Sequence, residues 1–323
     1  MTQLLLLGGT GFVGRALCDT LARQAQAAGE PLRLRVATRR RAHGTALQAL
    51  PGVTLAEADV HDDRQLTGLL QGCDAVVNLV AILHGSEAAF EAAHVGLPRR
   101  LAAAAQAAGV RRVVHVSALG VGLEAPSRYL RSKARGEAVL QAAAAASPGL
   151  DLTLLRPSVI FGAEDRFLNL FARLQALAPV VPLGGAGARF QPVWVGDVAQ
   201  AIAACLRQPA TRGHTYECAG PEVFTLAELV GLAGREAGHP RPVLPLPGPL
   251  AWLQATALEF APGGPLMSRD NLASMQVPNI ASGQLPGLAA LGLNPTPLAA
   301  VTPTYLRPGQ RCARLDRWRA LHH

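Results

Sequence analysis

The residues most suited to moving a proton are Ser117, Tyr129 and Lys133. Ser117 ends the apolar run Arg112 to Ser117, and the segment Tyr129-Leu130-Arg131-Ser132-Lys133 follows after a turn-rich stretch. Tyr129 and Lys133 are four residues apart in a helical pattern, so both lie on one helix face. A nearby ammonium lowers the pKa of a phenol, so Tyr129 is expected to donate or withdraw a proton near neutral pH. In that arrangement Ser117 hydrogen-bonds a substrate oxygen, and Lys133 also bonds ribose hydroxyls. Lys133 is the only lysine of the chain, every other basic residue of the Lys+Arg set being arginine. A planar guanidinium is a poor substitute for a compact ammonium at such a site. The competing interpretation is a surface Tyr/Lys pair beside a strand-end serine.

A second signal is Gly8-Gly9-Thr10-Gly11-Phe12-Val13-Gly14, which follows a short apolar run and opens a helical pattern. In this context Gly8 permits a tight turn, Gly11 a close backbone approach to a pyrophosphate, and Gly14 close packing of helix on strand. The helix start offers free N–H groups to phosphates. Gly8, Thr10, Gly11, Phe12, Val13 and Gly14 are therefore candidate contacts for a dinucleotide. The second strand ends Thr38-Arg39-Arg40-Arg41, with no acid to accept ribose hydroxyls. Arg39 and Arg40 instead suit the 2′-phosphate of NADP(H), which makes NAD(H) the less favoured cofactor. Asp59, followed by Val60, either accepts from the adenine amino group or caps a helix, alone or with Asp62 and Asp63. Val80 and Ala81, past the fourth strand, are candidates to line the crevice outside the strand ends.

The elements that would carry these residues alternate from the start. Strands are expected at Gln3 to Leu7, Leu32 to Thr38, Val53 to Ala56, Ala75 to Val80, Arg112 to Ser117 and Leu152 to Leu155. Helices are expected at Phe12 to Ala28, Arg64 to Leu70, Ala88 to Ala108 (interrupted near Pro98) and Tyr129 to Ala146. Such alternation implies βαβ units, hence an α/β fold with a doubly wound parallel Rossmann sheet. After Pro157 glycine and proline become frequent and the pattern shortens. The expected organisation is a dinucleotide-binding domain over 1–157, with 191–207 returning to it, and a smaller interleaved C-terminal domain over 158–323 for substrate or partner.

Composition narrows the function classes. The net charge of +8 comes from dispersed arginines with few aromatics between them, a pattern read as a solvated surface and not a nucleic-acid site. A cluster at Arg307, Arg311, Arg314, Arg317 and Arg319 is the exception, suited to acidic lipid or a partner. The five cysteines are scattered, so neither a disulfide framework nor a zinc site is expected, and a reducing compartment such as the cytoplasm fits. The opening apolar run reads as a strand and not a signal peptide. Val243 to Phe260 is apolar but interrupted by prolines, so it makes a poor membrane span. Its Trp252 and Leu253 instead suit a lipid boundary, a partner or a lid.

The glycine loop, the Ser117/Tyr129/Lys133 set and the segment Arg156-Pro157-Ser158-Val159-Ile160-Phe161-Gly162 resemble the short-chain dehydrogenase/reductase superfamily in its extended and atypical, epimerase/dehydratase-like branches. That resemblance implies that Pro157 and Val159 lie beside the nicotinamide. It also implies that Gln191 to Ala199 leads back to the Rossmann domain. Ser127 to Gly136, Phe161 to Asn169, Gln191 to Val198, Met267-Ser268-Arg269-Asp270 and Leu285-Pro286-Gly287-Leu288 are similar to the NADPH-binding accessory subunits of mitochondrial respiratory complex I. This closer likeness implies a structural cofactor, a respiratory-complex or membrane-surface partner, and a place peripheral to the inner membrane. The catalytic set points instead to a working NADPH-dependent reductase or an epimerase/dehydratase with Tyr129 as acid/base. A third reading is a membrane-adjacent interaction protein stabilised by its cofactor.

Overall fold

The computed structural model describes residues 2–146, 150–261 and 267–309. The chain forms two compact units, one of residues 1–157, 195–218 and 282–293 and one of 158–194, 219–281 and 294–323. The return to the first unit thus begins at Val195 and reaches Cys218. A second return, Ser282–Leu293, falls where only C-terminal domain was expected.

The first unit is built on a seven-stranded sheet. Its strands are β1 (Thr2–Leu7), β2 (Leu32–Thr38), β3 (Val53–Glu57), β4 (Ala75–Asn78), β5 (Arg112–Val116), β6 (Asp151–Pro157) and a short strand, Thr215–Cys218. From one edge the order is Thr215–Cys218, β6, β5, β4, β1, β2, β3. Every pairing is parallel. Leu4 to Leu7 of β1 and all of β4 and β5 are buried, as expected of parallel strands covered on both faces. The strand order reverses between β1 and β4, so the crevice at their carboxyl ends is the switch point of a doubly wound sheet.

Helices close both faces. On one, α2 (Asp63–Leu70), α4 (Leu97–Ala107) and α5 (Arg128–Ala146) place Leu66, Leu70, Leu97, Leu101 and Leu140 against Leu5, Val76, Val113 and Leu152 of the sheet. Elsewhere α1 (Phe12–Ala28) packs against the helix Val195–Arg207. The expected helix from Ala88 to Ala108 is in fact three pieces: α3 (Glu87–Glu91), a π-helical turn at Ala92–Gly96, and α4. Pro98 sits in the first turn of α4 and has no N–H for the carbonyl of His94. The π turn takes up that mismatch one turn earlier than the proline itself.

In the second unit, Phe161, Leu168, Leu183, Phe190, Leu229, Val230 and Tyr305 share a core. The buried carboxylate of Asp165 accepts from the backbone N–H of Gly162, Phe167 and Asn169 and from the Tyr305 hydroxyl. The helix Gly248–Glu259 keeps Leu250, Trp252 and Leu253 exposed, and Phe260 follows it, also exposed. No helix among the described residues is long and apolar enough to cross a membrane. The arginines from 311 onward lie outside the described residues. Arg307, within them, pairs with Glu236.

Two helical glycines should respond oppositely to alanine. At Gly136 of α5 a Cβ would lie 1.9 Å from the His94 carbonyl oxygen, whereas at Gly68 of α2 it would meet nothing within 4 Å. Gly136→Ala is expected to cost about 1–3 kcal/mol by overpacking. Gly68→Ala should stabilise by about 0.5–1 kcal/mol, through helix propensity and a less flexible unfolded chain. Urea unfolding of both variants measures the two changes, and a loss at both positions would contradict this account.

Candidate functional site

The glycine loop bends where β1 ends. Gly8 has φ +78°, and a Cβ there would stand 3.1 Å from the backbone of Leu79 and Val80, so only glycine fits this approach to the end of β4. The Gly11 N–H donates to the Gly8 carbonyl at 3.0 Å and tightens the turn. A Cβ on Gly14 would lie 2.4 Å from the Gly9 Cα, so this glycine lets the first turn of α1 sit directly on the loop. Gly11 is the N-cap of α1 and has no capping side chain. The first-turn N–H groups, those of Phe12 and Val13 included, therefore have no side-chain oxygen closing them off. These are places that a Cβ or a capping group would fill, and they fit the pyrophosphate of a dinucleotide.

At the carboxyl end of β5, Lys133 reaches from α5 and donates from Nζ to the Val116 carbonyl at 2.8 Å. Its side chain is 1% exposed. Burial pushes its pKa down to about 8, against the opposing pull of Glu137 one turn along. Ser117, the next residue after β5, is 4% exposed; its N–H donates to the Leu155 carbonyl and its Oγ has no hydrogen-bond partner. Tyr129 lies in the first turn of α5, where its ring meets His94 and Phe90 edge-on. Burial pushes its phenol up to about 12. The sequence led to the opposite expectation, a phenol lowered by the neighbouring ammonium. Desolvation sets the direction in this fold, so the hydroxyl holds its proton at neutral pH.

The remaining candidates occupy the same edge of the first unit, with one exception. Arg39 and Arg40 are exposed just past β2, where Thr38 Oγ1 donates to the Arg40 carbonyl. The following turn packs close to the glycine loop, because a Cβ on Gly44 would come within 3.3 Å of Thr10 Cγ2. Asp59 does not cap α2: Asp62 does, accepting from the Gln65 N–H, while Asp59 accepts from the His61 N–H in a local turn. Val60 is half-buried against the core. Strand β4 stops at Asn78, two residues earlier than expected, because Asn78 Oδ1 takes the Val80 N–H. Val80 and Ala81 thus lie in the loop beyond the strand. The Pro157 carbonyl at the end of β6 accepts from the Leu119 N–H. Val159 belongs to the second unit, where its N–H donates to Asn279 Oδ1.

Two buried histidines near this edge were not singled out from the sequence. The amide of Asn78, whose Oδ1 is occupied, presents Nδ2 to His115 Nδ1 at 3.1 Å, leaving the His115 proton on Nε2. His94, in the π turn, takes the Ile82 N–H on Nε2 and meets Ser132 Oγ with Nδ1 at 2.8 Å. Burial and the Lys133 charge push both rings down, so both are neutral. The sequence held one clue to His94, a histidine four residues ahead of a proline within a helical pattern.

The comparisons with known proteins agree with this layout. The NADH dehydrogenase (ubiquinone) 1 alpha subcomplex subunit 9 of Mus musculus mitochondria is 32% identical over 312 residues, covering 94% of this chain and 79% of its own length. The NADH-ubiquinone oxidoreductase 40 kDa subunit of Neurospora crassa mitochondria is 28% identical, covering 96% of this chain and 80% of its own. Among solved structures, the dTDP-glucose 4,6-dehydratase of Streptomyces venezuelae, with NAD bound, superposes with a TM-score of 0.72 at 24% identity, over 94% of this chain and 96% of that one. The profile of the NAD dependent epimerase/dehydratase family matches residues 4–219. From the glycine loop through the seventh sheet strand, the chain belongs to the NAD dependent epimerase/dehydratase family.

Proposed function

We propose that this protein binds a nicotinamide dinucleotide, NADP(H) in preference to NAD(H), as a complex-I-accessory-like member of its family. The observation that carries the reading is the glycine loop, bent back onto the end of β4 at contacts only glycine allows. Gly8 to Gly14 would hold the pyrophosphate, Arg39 and Arg40 a 2′-phosphate, and Lys133 the ribose next to the nicotinamide. Val80, Ala81 and Pro157 would flank the nicotinamide itself. When bound, the nicotinamide supplies hydride chemistry. The similarity to respiratory-complex subunits supports a binding role with a partner.

One observation favours a second reading, a working reductase or epimerase/dehydratase. Ser117 Oγ is buried without a partner, and a native fold seldom leaves a buried hydroxyl unpaired unless something else bonds it. A substrate oxygen would be that partner. Tyr129, which keeps its proton to about pH 12, then serves as the acid and not the base at neutral pH.

The exposed apolar face of the second unit supports a lipid surface as the peripheral contact. Leu250, Trp252, Leu253 and Phe260 are each at least half exposed, and Arg269 lies over the Trp252 ring at 5.8 Å. An indole and leucines beside a guanidinium suit an anionic headgroup boundary.

Each reading has its measurement. Calorimetric titration should show NADPH binding at least tenfold tighter than NADH. The double change Arg39→Ala with Arg40→Ala should erase the difference, since charge-assisted bonds contribute about 1.5–3 kcal/mol each; equal affinities in the unaltered protein would refute the preference. NADPH affinity should fall as pH rises above about 8, where Lys133 loses its proton, and Lys133→Met should flatten that profile. Tyr129→Phe should lower any turnover found with ketone, quinone or nucleotide-sugar substrates by about 10²–10⁴ while leaving NADPH affinity nearly unchanged. Turnover that survives the change removes Tyr129 as the acid. Flotation on anionic vesicles should weaken for Trp252→Ser with Leu253→Ser, and a protein that never floats at low salt excludes the lipid contact.

A further inference from the structure

His94 lies outside the predicted site, yet it joins two of its parts. Ile82 N can only donate, so His94 Nε2 must accept its bond of 3.1 Å. A neutral imidazole then carries its proton on Nδ1, which faces Ser132 Oγ at 2.8 Å and donates to it. Ser132 Oγ in turn donates to the Tyr129 carbonyl at 2.8 Å. Each donor in this chain meets one acceptor, so the direction of every bond is set from the backbone N–H at its start. The ring also packs against Tyr129, with centroids 5.5 Å apart and planes at 81°, and against Phe90 at 5.6 Å. Its backbone is held by the π turn and by Gly136, whose lack of a side chain lets α5 close on the His94 carbonyl.

We propose that His94 is a positioning residue, a ring locked in one tautomer that fastens the loop after β4, through Ile82, to the Tyr129 end of α5. This rests on the dinucleotide-binding reading. The loop and helix it joins are those expected to receive the nicotinamide, whereas the glycine loop and Arg39/Arg40 serve the adenosine half. His94 moves no proton. The titratable groups near it are Lys133, Tyr129 and His115, and burial together with the Lys133 charge keeps its pKa at about 3. The join is therefore insensitive to pH across the neutral range.

The test uses the full chain. In the protein without cofactor, nitrogen NMR should show the His94 ring protonated on Nδ1 and not titrating between pH 5 and 8, with the Ile82 amide protected from exchange. His94→Phe keeps the packing and removes both bonds, and should speed Ile82 exchange at least tenfold. The same change should weaken NADPH about tenfold, the loss expected for one or two hydrogen bonds, and leave adenosine 2′,5′-bisphosphate binding unchanged. Ser132→Ala, a gentler change, should weaken NADPH less and leave Ile82 protected. A ring titrating near pH 6.5, Ile82 exchange unaffected by His94→Phe, or equal weakening of both ligands would each overturn the proposal. If the unaltered protein binds neither ligand, the dinucleotide reading fails on its own. The ring and amide measurements would still decide whether His94 makes the join.

Discussion

A parallel sheet has both faces covered by the helices that connect its strands, so every strand-to-helix loop leaves from the same edge. In this chain that constraint gathers the glycine loop, Arg39 and Arg40, the segment after Asn78, Ser117 and Pro157 at one end of seven strands. Residues distant in sequence become neighbours because the sheet has a direction. The strand order reverses between β1 and β4, the point at which sheets of this kind receive a ligand, and Gly8 allows the loop to lie against the backbone of Leu79 and Val80. A side chain at position 8 would keep the loop and the end of β4 apart. The gathering of the candidate residues is thus a consequence of the topology before any individual side chain acts.

Within that edge the electrostatics centre on one buried ammonium. Taking Lys133 out of water is costly, and the Val116 carbonyl and the charge of Glu137 offset the cost only in part, which is why its pKa falls. Glu137 is itself engaged by Arg156 through two bonds, tying α5 to β6. The lysine charge reaches both His94 and His115, and with burial it keeps them neutral, while the Ile82 N–H and the Asn78 amide set one tautomer on each. Burial, not the ammonium, governs Tyr129. A compact cation among neutral donors and acceptors is an arrangement that an arginine could not reproduce in the same volume.

Much of this was legible in the sequence because its signals are local. The run Leu4 to Leu7, the glycine spacing that follows it, the four-residue step from Tyr129 to Lys133 and the lone lysine all depend on neighbours within a turn or two. The interruption expected near Pro98 comes ahead of it, as the π turn at Ala92–Gly96, since a proline marks a disruption without saying on which side the helix will yield. Thr215–Cys218 is too short to carry a periodic signal and becomes a strand only because β6 offers it an open edge. Asp59 and Asp62 are equally good caps on paper. The path of the chain into α2 gave the role to Asp62.

The sequence by itself determined the parallel α/β order and the glycine loop that follows β1, and it singled out the candidate proton-moving side chains. Those follow from periodicity, turn chemistry and residue type, which act over short stretches of chain. The tertiary structure alone decided how those side chains are tuned. Whether a phenol is lowered by an ammonium or raised by burial depends on what surrounds it in space, and here desolvation prevails at Tyr129. It also decided that His94, twelve residues from Ile82 and thirty-eight from Ser132, would bond both. Such a bond exists only after β4, the π turn and α5 have packed, because a hydrogen bond needs its partners within about 3 Å, a distance that sequence separation does not encode.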